Sequence, residues 1–126
     1  MDLNYPKLLE TRSYVNGQFI DGNQGKTFEV INPCNGELVA EVSDCDVDLA
    51  KVVIDQAQEA FITWRKMTGT ERGQLLRRWY ELQLEHIDDL AKILTIEQGK
   101  PIAEAAGEIR YGASFVEWFA EEARRN

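Results

Sequence analysis

The chain has 126 residues, 44% of them hydrophobic, with Trp 3, Tyr 4, Phe 5 and only Pro 3; this excludes wholesale disorder and predicts one folded domain. Asp and Glu number 22 against 14 Lys and Arg, a formal net charge of -8, which opposes the counterion release that drives nucleic-acid binding. No apolar run reaches the ~18 residues of a bilayer span, and the first residues lack a basic start followed by an apolar stretch. The expectations are no nucleic-acid partner, no membrane and a cytoplasmic location.

Residues 1–13 read as an extended tail and residues 14–42 as β elements. In Tyr14-Val15-Asn16-Gly17-Gln18-Phe19-Ile20, Asn-Gly sits between β-prone flanks and suits the positive φ angles of a type I′ hairpin turn. A second pair follows, Thr27–Ile31 and Leu38–Val42, joined by Asn32-Pro33-Cys34-Asn35-Gly36.

From Ser43 the period lengthens to about 3.6, predicting helices over 43–126. In the first, Val47, Ala50, Val53, Ile54, Ala57, Ala60, Phe61 and Trp64 share a face, and Ser43 with Asp46 has the spacing of a capping box. Thr68 with Glu71 repeats that spacing before a helix carrying Leu75, Leu76, Trp79 and Leu82 inward. A third stretch, with Ile87, Leu90, Ala91 and Leu94 inward, ends at Gly99, which suits a left-handed cap. Pro101 opens a fourth, running to about Arg124, in which Ala105, Ile109, Ala113, Val116 and Ala120 keep helical spacing. Tyr111, Phe115, Trp118 and Phe119 widen its apolar surface, so it expects neighbours on more than one side.

The fold class expected is α+β and mainly helical: two small antiparallel β elements followed by about four amphipathic helices. The faces of Val53, Ile54, Ala57, Phe61 and Trp64, of Leu75, Leu76 and Trp79, of Leu90 and Leu94, and of Ile109 and Val116 are expected to pack as one cluster. A buried Trp79 would make Trp79→Ala cost about 3–5 kcal/mol.

The order YVNGQFIDG, TFEVINPCNGELVAEV, DLAKVVIDQAQEAFITWRK, ERGQLLRRWYEL, LTIEQGKPIAEAAGEI and SFVEWFAEEARR resembles the amino-terminal part of the aldehyde dehydrogenase superfamily, and within it the succinate-semialdehyde dehydrogenases. The resemblance runs from Tyr14 to Asn126 and implies that residues 1–126 are the amino-terminal portion of the coenzyme-binding domain of an α/β enzyme about four times as long. It further implies NAD or NADP as cofactor, a small-molecule aldehyde as substrate and a homo-oligomer, all in the full-length enzyme. The family's cysteine nucleophile (FxNxGQxC-like), glutamate base (ELGG-like) and oxyanion-binding asparagine (PWNFP-like) lie in segments this sequence does not contain. No catalytic and no cofactor-binding residue is therefore assigned here, and the chain alone is expected to be inactive. Many members also hold a structural monovalent cation between backbone carbonyls and a helical carboxylate, which by position implicates Val30 or Ile31, with Ile31 and Glu108 as the site assigned.

Cys34 falls in a turn and Cys45 at a helix start; with one histidine in the chain neither makes a zinc site, and both read as inert thiols. Lys100 in Glu97-Gln98-Gly99-Lys100-Pro101 could grip a phosphate or dicarboxylate, but the glycine and proline read more simply as a junction between helices. Arg77 and Arg78 read as a solvated charge pair, His86 as a surface residue at a helix end, and the aromatic set Trp79, Tyr111, Phe115, Trp118 and Phe119 as core and domain contacts rather than a stacking platform for bases. The alternative to an enzyme segment is a standalone acidic helical module that binds partner proteins through the fourth helix.

Overall fold

The computed structural model describes residues 1–125, which form two compact units: Met1–Leu8 with the chain from Met67 onward, and Leu9–Lys66 between them. The stretch read as an extended tail is divided between the two, and Pro6–Leu8 curl into a 3-10 turn.

In the Leu9–Lys66 unit, β1 (Ser13–Val15) and β2 (Gln18–Ile20) pair antiparallel with Tyr14 opposite Phe19. The turn is the one the dipeptide demands: Asn16 has φ 48 and Gly17 φ 80. The strands β3 (Thr27–Ile31) and β4 (Leu38–Ser43) form a second antiparallel pair, with a register shift between Val30 and Ile31. Helix α1 (Val47–Trp64) begins at Asp46, not Ser43. Ser43 is the last residue of β4, donating its N–H to Thr11 O and its hydroxyl to Ile20 O, so it is unavailable as a cap. Asp46 accepts from Leu49 N at 2.9 Å, while the Asn23 side chain donates to its carboxylate and accepts from its N–H.

The other unit holds α2 (Gly69–Glu85), α3 (Ile87–Gln98) and α4 (Ile102–Glu122). The Thr68 and Glu71 capping box is present in both directions, and the hydrogen bonds from Thr68 to the Glu71 carboxylate hold that acid below its ordinary pKa. Gly99 ends α3 at φ 86, in the left-handed region, and Pro101 is the N-cap of α4 rather than its first residue.

The core of this unit is made of small residues. Ala105, Ala113 and Ala120 of α4 and Ala91 of α3 are buried, the only buried hydrophobic residues among those described. Gly73 belongs to the same seam: a Cβ there would lie 2.6 Å from the carbonyl oxygen of Ala120, and one on Gly69 would lie 2.0 Å from that of Ala123. These two glycines let the start of α2 touch the backbone of the end of α4.

The expected large-residue cluster is not what the structure contains. Trp79 is 56% exposed, and Leu75, Ile54 and Phe61 are exposed as well; α1 has no buried residue. Helical period identifies which side chains share a face, but burial depends on what covers the face, and among the described residues these faces are left open.

Candidate functional site

Helix α4 carries four exposed aromatic side chains, Tyr111, Phe115, Trp118 and Phe119, with Tyr111 and Phe115 edge to face at 4.9 Å. They stand on the side of α4 away from the alanines because Ala113 and Ala120, one heptad apart, take the inner stripe. These aromatics are therefore not core side chains in this chain; they form an exposed apolar surface. An open cavity beside it is lined by Phe115, Trp118 and Phe119 together with Arg77, Glu117 and Glu121.

Arg77 is more than a solvated charge. Its guanidinium donates to Glu117 at 2.8 Å, approaches Glu121 at 3.9 Å and Glu81 at 3.7 Å, and lies over the Tyr80 ring at 5.1 Å, so it ties α2 to α4. Arg78 keeps the solvated character expected, with looser approaches to Glu81 and Glu85.

At the α3–α4 junction the side chain of Lys100 is largely covered and pairs with the Glu108 carboxylate. The lysine thus pairs with an exposed acid of the helix that follows it, in keeping with the junction reading of Gly99 and Pro101. Glu108, one of the two residues assigned to a cation, is this partner of Lys100; Ile31, the other, is the partly exposed end of β3 in the Leu9–Lys66 unit. Among the described residues no group of three or more His, Cys, Asp or Glu side chains is gathered. Both cysteines are free and exposed, Cys45 with its Sγ 3.2 Å from Ser13 Oγ.

Sequence reasoning missed Asp89. It is 2% exposed, the one charged residue buried among those described, and sits in the first turn of α3. Its Oδ1 accepts from Asn4 N at 3.1 Å and Asn4 Nδ2 at 3.2 Å, its Oδ2 from Tyr5 N at 2.8 Å, and Lys92 Nζ stands 3.7 Å away. Burial pushes this acid up, but the two backbone N–H groups and Lys92 outweigh it and leave its pKa below the ordinary value. An acid in a helix's first turn ordinarily answers that helix's own N–H groups; nothing local signals that Asp89 serves residues 84 and 85 positions away. His86, between α2 and α3, is half-buried rather than superficial, with the Tyr5 ring against it at 4.5 Å.

Comparison with known proteins gives a consistent set of likenesses. The profile of the aldehyde dehydrogenase family matches residues 19–126. The chain is 46% identical over 125 residues to the succinate-semialdehyde dehydrogenase [NADP(+)] GabD of Escherichia coli, and 46% identical over 125 residues to a glutarate-semialdehyde dehydrogenase of Pseudomonas putida; each match covers 99% of this chain and 26% of the relative. Among solved structures, the succinate-semialdehyde dehydrogenase of Burkholderia pseudomallei superposes with a TM-score of 0.95 at 45% identity, over 99% of this chain and 26% of that one. The chain spans about a quarter of the length of the curated relatives it matches. The mainly helical architecture, with two small antiparallel sheets and four helices, is that of the amino-terminal part of these enzymes.

Proposed function

This chain belongs to the aldehyde dehydrogenase family, and we propose that it is the amino-terminal segment of an enzyme that oxidises an aldehyde to a carboxylate with NAD or NADP as hydride acceptor. The observation that carries this reading is the likeness to semialdehyde dehydrogenases along almost the whole chain, at an identity well above what fold alone requires. The substrate class proposed is a short aldehyde bearing a carboxylate at its far end, with succinate semialdehyde as first choice and glutarate semialdehyde as its competitor, since relatives of both names match equally well.

Within that enzyme the proposed work of residues 1–126 is architectural. Gly17 serves the β1–β2 turn, Gly99 the cap of α3, and Gly69 and Gly73 the α2–α4 seam, so these four have structural work other than the Gly-rich strand-to-helix turn that cradles a dinucleotide. No step of the reaction is assigned to them; the chemistry is proposed to reside in residues outside 1–126. The seam supplies a stiff helical layer, and the α4 aromatic face is where further structure would gain most by covering it.

Two preparations test this. The protein from the complete reading frame should form NAD(P)H from succinate semialdehyde, and the 126-residue chain alone should form none and bind neither coenzyme in calorimetry. Turnover or saturable micromolar coenzyme binding by the chain alone would overturn the architectural assignment.

A further inference from the structure

We propose that Asp89 operates an amino-terminal clasp, a buried carboxylate at the start of α3 that holds residues 2–5 against the helical unit and can release them while α2 and α4 stay folded.

The contacts are complementary in kind. The strap offers donors, the N–H groups of Asn4 and Tyr5 and the Asn4 amide, and Asp89 offers two oxygens that take all three. Lys92 closes the other side, donating to the Asp2 carbonyl at 3.1 Å while standing 3.7 Å from Asp89. Tyr5 adds its ring edge against His86. The segment then turns through Pro6–Leu8, with Leu8 N donating to Tyr5 O at 3.0 Å, and the chain leaves for the Leu9–Lys66 unit.

What makes this a clasp rather than part of the core is the lack of apolar burial behind it. None of residues 1–8 is buried, and Tyr5 itself is exposed. The strap rests on α3, which carries Asp89 and Lys92; the glycine seam that joins α2 to α4 is formed by Gly69 and Gly73 against Ala120 and Ala123, none of them a strap residue. Polar contacts to one carboxylate are all-or-none in a way that apolar contacts are not: if the carboxylate turns away, all three donors lose their acceptor together. Opening would detach residues 2–5 from the helical unit and leave the Asp89 carboxylate, now 2% exposed, to water.

Amide hydrogen exchange resolved to residues 4 and 5, measured on the protein that carries this chain, tests the clasp. In Asp89→Asn the shape is kept, yet whichever way the amide is turned its NH2 group confronts a backbone N–H of Asn4 or Tyr5. The expected result is exchange at Asn4 and Tyr5 faster by about tenfold or more, with α4 amides unchanged. Exchange at Tyr5 within about twofold of the unaltered protein would overturn the proposal. If Asp89→Asn also speeds exchange in α4, the milder Lys92→Met decides: selective acceleration at Asn4 and Tyr5 supports the clasp, and unchanged protection there overturns it.

Discussion

At the residue scale, burial separates side chains that sequence patterning treats alike. Trp79 and Ala105 both occupy apolar positions of amphipathic helices, yet one is 56% exposed and the other fully buried. Trp79→Ala is accordingly expected to cost less than about 1 kcal/mol in the chain alone, measured by chemical denaturation. Thr68→Ala, a smaller change at an exposed position, should cost about 1 kcal/mol, because it removes the acceptor for the Glu71 N–H at the start of α2. Asp89 gives a pH dependence whose sign follows from its lowered pKa. The clasp is complete above the unfolded-state value of about 3.9 and is lost as the pH falls through the still lower folded-state value. Exchange protection at Asn4 and Tyr5, corrected for the intrinsic rate, should therefore hold between pH 7 and pH 5 and fail only in strong acid.

At the scale of elements, the glycines of the helices divide into two kinds. Gly73 faces the Ala120 carbonyl, and an added Cβ would push apart the backbones of α2 and α4; Gly107 has open space around it. Gly73→Ala should thus destabilise by about 1–3 kcal/mol, the range for overpacking a close contact. Gly107→Ala should stabilise the chain by about 0.5–1 kcal/mol, as alanine replaces glycine inside a helix. Thermal denaturation of the two variants side by side checks both signs.

The same scale shows what the sequence made legible. The Asn16-Gly17 hairpin, the Thr68 and Glu71 box, the Gly99 cap and the helical spacing of Ala105, Ala113 and Ala120 are local signals, and the structure has each of them. The start of α1 is not legible locally, because Ser43 and Asp46 both suit an N-cap and only the pairing of β4 decides between them. Asp89, Arg77 and Lys100 found partners on other elements, and residue spacing carries no information about those distances. The large-residue core differs for another reason: helical period shows that apolar faces exist, not that they meet, and this chain leaves several of them open among the described residues.

At the scale of the whole molecule, a small-residue seam and a broad exposed aromatic surface coexist in a chain that spans about a quarter of its curated relatives. That combination suits a layer of a larger enzyme better than the standalone interaction module, since the likeness to semialdehyde dehydrogenases extends across the exposed face and the seam together. The most direct measurement is the rate of NAD(P)H formation by the protein from the complete reading frame, with succinate semialdehyde, glutarate semialdehyde and an uncharged aldehyde of similar length supplied in turn. The account predicts turnover with the semialdehydes, and a higher kcat/KM for them than for the uncharged aldehyde. A folded, pure protein that reduces neither NAD nor NADP with any of the three would contradict it.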